Sequence, residues 1–264
     1  GYIPFDALLN DRPRDENDFK TYPYLTKQYQ FSYTYSATLL RDMREKKHRH
    51  EPEKPFIAFA PYYDGDTTLM RKDLQPLTLS GTEVDAASKQ MQGEVVAGSS
   101  ATEQRFTENA GHYRIIHLAT HGRADNRVGD YAFLAFSEIK DSIENELLYV
   151  KDLYNLELNA DLVVLSACET GIGKLQRGEG IISLARAFAY AGAKSIVTTL
   201  WEVNDKSTSE QMRLFYRELK RGKSKDEALR LARIRYWKEQ PVEMCHPIYW
   251  AAFVPAGEMR GMTV

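Results

Sequence analysis

The sequence predicts an α/β fold in which a mostly parallel sheet is covered by helices on both faces. Short, nearly continuous apolar runs alternate with longer segments whose apolar residues recur with a helical period. Strands that are buried on both faces give such unbroken runs, and their alternation with helices is typical of a parallel sheet. Polar residues directly follow two of the runs, which is where ligand chemistry gathers in folds of this class.

The apolar runs predict strands, and the amphipathic segments between them predict helices. The strands are expected at 56–60, 94–97, 114–119, 131–136, 161–166, 194–200 and 248–254. The helices are expected at 37–47, 82–92, 102–110, 179–191, 206–221 and 224–239. The segments 100–103 and 223–227 have the composition of helix N-caps, and Gly192 and Gly222 stand where glycines end helices.

Composition excludes several classes of protein. Of 264 residues, 43% are apolar, which is too many for a disordered chain, and no apolar run reaches the roughly 18 residues of a membrane span. Two cysteines are too few for the disulfide framework of a small secreted protein. The 35 basic and 37 acidic residues nearly balance, so we expect neither nucleic acid nor a membrane as a direct partner. These features predict a cytoplasmic globular protein.

The chain is predicted to be a single domain over 1–264, with a charged linker at about 44–55. Its first residues lack the basic start and apolar stretch of a signal peptide. They also lack an initiator Met and read as the end of a strand. We therefore expect an N-terminal truncation, with a first strand or a regulatory region upstream.

Two segments carry candidate chemistry. Residues 114–122 and 161–171 are each an apolar run that turns polar and continues into a loop with glycine. Because the carboxyl ends of parallel strands open onto one crevice, His121 and Cys168 would lie at corresponding positions, as a Cys–His nucleophilic site requires. Position alone leaves a structural role for Cys168 equally open, since a buried cysteine also serves as a small apolar residue.

Other motifs fail on spacing, and no cofactor or metal is implied. His117 and His121 are four residues apart, but on a strand, and the glutamate of a zinc-protease helix is absent. Residues 171–174 resemble the end of a phosphate loop, but Leu175 replaces the hydroxyl residue that binds magnesium. Cys245 is expected to be a small buried residue or to be surface-exposed.

Four ordered motifs resemble the CHAT domain family. They are His-Leu-Ala-Thr-His-Gly at 117–122, Leu-Ser-Ala-Cys-Glu-Thr-Gly at 165–171, Gly-Glu-Gly-Ile-Ile-Ser-Leu-Ala-Arg-Ala-Phe at 178–188, and Leu-Trp-Glu-Val-Asn-Asp at 200–205. The resemblance begins at Gly1 and continues to about Pro255, nearly the whole chain. CHAT domains are caspase-like cysteine peptidases related to separase, and they often follow tetratricopeptide repeats in bacterial proteins. The resemblance implies a caspase-like α/β/α sandwich with His121 and Cys168 as the catalytic pair.

The resemblance also implies a mechanism and a set of partners. Cys168 would attack the scissile carbonyl while His121 polarises the thiol or protonates the leaving amine. The backbone N–H groups of Gly122 and Cys168 would form the oxyanion hole. The partner is expected to be a protein or peptide substrate, with control by an upstream repeat region or a regulatory protein.

The segment 201–205 resembles the Trp-Asp-Val-Thr-Asp segment of separase, a peptidase that cleaves after Arg. Caspases use the corresponding loop to line the pocket for the residue before the cut. Trp201, Glu202 and Asp205 are the candidate substrate-binding residues, with Asp205 preferred, and cleavage after Arg or Lys is expected. The alternative is that Asp205 only caps the helix that follows. Ser166 stands where metacaspase-like relatives have an acid, so the pocket would depend on Glu202 or Asp205 alone.

Two other function classes compete with a peptidase. One is a scaffold or binding module with a catalytically silent caspase-like fold, against which the presence of both His121 and Cys168 counts. The other is acyl transfer on small amides, which a panel of peptide and small amide substrates would distinguish. If the protein cleaves after Arg or Lys, self-cleavage at Lys174 or Arg177 is a further expectation.

Overall fold

The computed structural model describes residues 3–61, 77–123, 132–138, 146–166, 179–201 and 203–262, with the backbone alone at 179–183. Strands and helices alternate through most of this part of the chain. None of its helices has the length and hydropathy that a membrane span requires.

The strands form one large and one small sheet. They are β1 (Lys54–Pro61), β2 (Glu94–Gly98), β3 (Tyr113–Leu118), β4 (Gly122–Arg123), β5 (Phe133–Ala135), β6 (Leu147–Tyr149), β7 (Leu162–Leu165), β8 (Ser195–Thr199) and β9 (Phe253–Gly257). The large sheet has the order β2-β1-β3-β7-β8-β9, and only its β8–β9 pairing is antiparallel. The small sheet is β4-β5-β6 and is antiparallel. The prediction of a mostly parallel sheet is confirmed.

Helices cover both faces of the large sheet. They are α1 (Ala37–Glu45), α2 (Ser80–Met91), α3 (Glu103–Asn109), α4 (Val150–Leu153), α5 (Glu179–Ala191), α6 (Asp205–Lys220) and α7 (Lys225–Glu239). Alternate residues of each strand enter two separate apolar layers: Ile57 and Phe59 pack with α1, α3, α4 and α5, whereas Phe56 and Ala58 pack with α2, α6 and α7. The central strands β7 and β8 are buried throughout, as are the last six residues of β1, which explains why these segments are mostly apolar, whereas the edge strand β2 is partly exposed.

The last strand lies further along the chain than predicted. The segment 248–254 was expected to be a strand, but Pro247–Tyr249 forms a turn of 3-10 helix and β9 begins only at Phe253. Pro247 has no N–H to give to a ladder, and its fixed φ favours the start of a helical turn. The His246 side chain accepts the Ile248 N–H over 3.2 Å and completes this turn.

Gly192 and Gly222 end α5 and α6 with positive φ values of 138° and 78°, as the sequence predicted. A Cβ atom on Gly192 would lie 1.9 Å from the Leu158 carbonyl oxygen, whereas one on Gly222 would meet nothing within 4 Å. Comparing an alanine substitution at each position therefore distinguishes the cost of steric overlap from the cost of a positive φ.

We expect Gly192→Ala to lower the free energy of unfolding by about 2–3 kcal/mol, because overlap with backbone adds to the strained φ. Gly222→Ala, which meets only the backbone cost, should lose about 1 kcal/mol. Urea denaturation of both variants measures the difference. Equal losses would contradict the steric argument.

Candidate active site

The candidate residues that the structure describes lie at the carboxyl ends of adjacent strands. His121 and Gly122 follow β3, Ser166 follows β7, and Trp201 follows β8. These three strands are parallel neighbours in the sheet, so their ends open at the same edge. Sequence reasoning placed these residues at the strand ends, and the structure adds the strand order that brings them together.

His121 is buried, with 3% of its surface exposed. It lies between the end of β3 and the start of β4, and its carbonyl oxygen accepts the Ala135 N–H over 2.9 Å. The preceding Thr120 hydroxyl donates to the Ala135 carbonyl. The backbone that carries His121 is therefore attached on both sides, to the parallel sheet before it and to the small sheet after it.

Gly122 has its N–H directed away from the small sheet. Hydrogen-bonded and non-hydrogen-bonded pairs alternate along an antiparallel ladder. His121 and Ala135 form a hydrogen-bonded pair, so the next pair, Gly122 with Leu134, is not hydrogen-bonded. The Gly122 N–H therefore points to the side of β4 opposite β5 and is not used by this ladder.

Four of the predicted site and cleavage residues lie outside the described residues. Cys168, with its predicted oxyanion N–H, and Glu202 are among them, as are Lys174 and Arg177. Their roles stay predictions. Ser166, which directly follows β7 and stands two positions before Cys168 in the sequence, is the last residue described before this gap.

Trp201 and Asp205 flank the turn from β8 to α6. The Trp201 indole N–H donates to the Ile248 carbonyl over 2.9 Å, which fixes the ring against the C-terminal segment. Asn204, rather than Asp205, caps α6, because its side chain accepts the Lys206 N–H over 3.1 Å. The alternative of Asp205 as the cap is wrong. Asp205 is half-buried in the first turn, and within the described ranges its carboxylate has no basic partner.

A buried polar cluster beneath this edge was not predicted. His117 in β3 has its ring nitrogens 2.8 Å from the Tyr216 hydroxyl and 3.0 Å from the Ser166 hydroxyl. Glu83 of α2 places Oε1 2.8 Å from the same Nε2 atom. A histidine inside an otherwise apolar strand was the available signal, since such a residue needs buried polar partners.

Part of the predicted charged linker at 44–55 packs against the opposite edge of the sheet, where His48 contacts Asp161 just before β7. His48 and Lys194 lie 2.9 Å from the same oxygen of Asp161. Burial by itself would raise the pKa of Asp161, but the hydrogen bond from Lys194 and the nearby His48 and Arg114 outweigh it, and the pKa is lowered. A cavity of about 220 Å³ opens beside this segment, against the residues before β7. It lies at the amino ends of the strands, away from His121.

Cys245 is a buried structural residue. Its thiol donates to the Pro241 carbonyl over 3.2 Å, and burial raises the pKa of the thiol. One of the two roles predicted for Cys245, a small apolar residue of the interior, is therefore confirmed.

Solved structures with a similar fold include one chain of a separase–securin complex and one cysteine proteinase. A chain of the Saccharomyces cerevisiae separase–securin complex matches with a TM-score of 0.53 at 14% identity, covering 88% of this chain and 14% of that chain. The Arg-specific cysteine proteinase gingipain R matches with a TM-score of 0.51 at 8% identity, covering 86% of this chain and 52% of that chain. Identities this low show a shared fold alone. The caspase-like α/β fold implied by the motifs is confirmed.

Sequence relatives include the tetratricopeptide repeat protein 28 of mouse and of human. The mouse protein is 31% identical over 115 residues, or 42% of this chain, and the human protein is 30% identical over 115 residues, or 44% of this chain. The match covers 4% of each relative, so the chain corresponds to a small part of much longer proteins. The CHAT domain family matches residues 1–258, and the chain therefore belongs to that family.

Proposed function

We propose that the protein is a cysteine endopeptidase that uses Cys168 and His121. The observation that carries this proposal is the convergence of β3 and β7, neighbouring parallel strands whose carboxyl ends lead to these two residues. Family membership and the caspase-like fold agree with it. Both members of the pair are present in the sequence, whereas a catalytically silent scaffold would need neither.

In this proposal Cys168 supplies the nucleophile and His121 transfers the proton. The thiolate attacks the scissile carbonyl carbon, and the resulting oxyanion accepts hydrogen bonds from the backbone N–H groups of Gly122 and Cys168. The C–N bond then breaks, and His121 protonates the leaving amine. Water hydrolyses the thioester, with His121 as the base, and the thiol is restored.

The backbone at Gly122 suits the role of an oxyanion donor. Its N–H is not used by the β4–β5 ladder, so it is available without breaking a hydrogen bond of the sheet. The anchored backbone on both sides of His121 would hold this donor in place before the substrate arrives. Glycine also lets a substrate carbonyl approach the main chain closely.

Asp205 is the proposed specificity residue, with Trp201 as a wall of its pocket and Glu202 beside it. A half-buried carboxylate that has no basic partner within the described part of the chain is a favourable site for a guanidinium or an ammonium group. The fixed Trp201 ring offers a flat surface for the aliphatic part of such a side chain. We therefore propose cleavage after Arg or Lys, with gingipain R, named as Arg-specific, as a precedent within the fold.

A positional peptide library should show wild-type cleavage after Arg or Lys and none with Cys168→Ala. Asp205→Ala should lower kcat/KM for Arg substrates by about 10- to 100-fold, because a charge-assisted hydrogen bond is lost. Asp226→Ala is the matched control, since Asp226 is also an acid in the first turn of a helix but lies in α7.

A preference for Asp or for apolar residues would overturn the specificity. So would a basic preference that survives both Asp205→Ala and Glu202→Ala. Failure of a thiol-directed activity probe to label Cys168, together with no cleavage of any peptide, would favour the silent scaffold instead.

We also propose that the activity is regulated. An endopeptidase in the cytoplasm, the compartment we propose, needs control, and the two relatives are named for tetratricopeptide repeats. A repeat region or regulatory protein would supply that control. Self-cleavage at Lys174 or Arg177 is part of the same proposal.

A further inference from the structure

Four polar side chains form a closed cluster inside the apolar layer that faces α2, α6 and α7. Glu83, His117, Ser166 and Tyr216 have exposed fractions of 4%, 0%, 3% and 0%. His117 is the centre of the cluster, with contacts of 2.8 Å to Tyr216, 3.0 Å to Ser166 and 2.8 Å to Glu83. All four side chains are remote from one another in sequence and meet only in the folded chain.

The strand register explains why His117 reaches Ser166. His117 pairs with Val164 across the β3–β7 ladder. Ser166 lies two residues after Val164, so its side chain is directed to the same face of the sheet. The Ser166 N–H also donates to the Leu118 carbonyl over 3.1 Å, which extends the parallel pairing by one residue. The cluster thus joins the ends of two strands to two helices.

Both hydrogen bonds of His117 can form in either tautomer of the neutral ring. The pKa of the Tyr216 hydroxyl is raised, first by burial and then by the charge of Glu83, so this group stays a neutral hydroxyl that can donate or accept. In one tautomer Nδ1 accepts from Tyr216 and Nε2 donates to Ser166, and in the other both directions reverse. Glu83 Oε1 lies 2.8 Å from the same Nε2 and, among the described residues, accepts no hydrogen bond.

Such a cluster is a costly way to fill an interior. Buried polar groups lose hydration, and a carboxylate oxygen without a hydrogen bond is left uncompensated. An apolar side chain in place of His117 would pack the same layer without that cost. The cluster does, however, hold a specific hydroxyl at a specific point of β7, which apolar packing cannot do.

We propose that His117 is a positioning residue that holds the Ser166 hydroxyl, and with it the end of β7, in the place from which the chain continues to Cys168. The inference rests on the proposed function, because it assigns His117 a role through the proposed nucleophile. Cys168 follows Ser166 by two residues in the sequence, so we expect a displacement of this strand end to change the position of the thiol. Misplacement of a reacting group by about 1 Å can cost about 100-fold in rate.

Two substitutions at His117 give opposite expectations. A glutamine amide nitrogen can occupy the place of Nε2 and keep the bond to Ser166, whereas an asparagine amide nitrogen reaches only the place of Nδ1. We expect His117→Asn to lower kcat by about 10- to 100-fold with KM within about twofold, and His117→Gln to keep most of the activity. Ser166→Ala should resemble His117→Asn.

The alkylation rate of Cys168 provides a second readout that needs no substrate. Cys245→Ala leaves Cys168 as the sole cysteine, and iodoacetamide then reports on that thiol. Slower alkylation is expected in His117→Asn and Ser166→Ala, but not in His117→Gln. Tyr236→Phe is the matched control, because it removes a buried tyrosine hydroxyl bonded to Ser207 over 2.9 Å, away from β3 and β7.

The outcomes separate the two proposals. If wild type cleaves no peptide, the proposed function fails, while the alkylation comparison still decides the role of His117. Equal losses in His117→Asn and His117→Gln, or alkylation that is unchanged or faster in Ser166→Ala, would overturn the positioning role. If His117→Asn does not fold, Ser166→Ala and Tyr216→Phe, which each remove one hydroxyl, carry the same test.

Discussion

Replacing His121 by alanine is expected to lower kcat for peptide hydrolysis by about 10²- to 10⁴-fold, the usual contribution of a positioned acid–base group. The proposal gives His121 no role in holding the substrate, so KM should change little. Steady-state kinetics on a fluorogenic peptide with Arg before the cut measures both constants. The backbone of His121 is anchored by Ala135 and lies between β3 and β4, so loss of the side chain should not move this backbone.

His112→Ala is the matched control for this substitution. His112 immediately precedes β3, at the opposite end of the strand from His121, and is exposed with Nδ1 3.0 Å from Glu53 Oε1. The control should retain wild-type kcat. A His121→Ala variant that keeps more than a tenth of wild-type kcat would mean that His121 is not the proton-transfer group.

The large sheet was predictable because its strands have one pattern. β1, β3, β7 and β8 are buried on both faces, so each is an apolar run that no helix period explains. β4 and β6 are only two and three residues long and leave no pattern in the sequence. Their existence depends on pairing with β5, which is a tertiary contact.

The candidate site was predictable in outline and not in detail. Motifs placed His121 and Gly122 at a strand end, but the direction of the Gly122 N–H depends on the register of a small sheet formed after it. His117 lies 49 residues from Ser166 and 99 from Tyr216, so no local pattern could join them. Asn204 and Asp205 are both good N-caps, and sequence alone could not choose between them.

The largest expected effect on stability comes from the buried ion pair between Arg233 of α7 and Asp6. Their side chains are 1% and 0% exposed, and the guanidinium also donates to the Phe253 carbonyl of β9. The pair thereby joins three distant parts of the chain: the N-terminal segment, α7 and the last strand. Among the residues that the structure describes, Asp6 Oδ2 and Arg233 Nε have no hydrogen-bond partner, so the pair is not fully compensated.

We expect Arg233→Met to lower the free energy of unfolding by about 3–5 kcal/mol, because it leaves the Asp6 carboxylate buried without a counter-charge. Asp6→Leu should cost a similar amount by stranding the guanidinium. The double variant should recover much of the loss, since a well-packed apolar pair can replace a buried ion pair at little cost. Urea denaturation of the four proteins gives the coupling energy as a double-mutant cycle.

A partly exposed ion pair joins Lys223, just before α7, to Glu227 in the first turn of α7 and serves as the control. Its atoms are 2.8 Å apart with an i,i+4 spacing, and Lys223→Ala should cost only about 0.3–0.5 kcal/mol, because solvent screens both charges. If the buried pair acts as we infer, the single variants at Asp6 and Arg233 will differ from this control by several kcal/mol while the double variant approaches it. Additive losses in the double variant would instead mean that each side chain stabilises the fold through its own packing, and that the charges are not coupled.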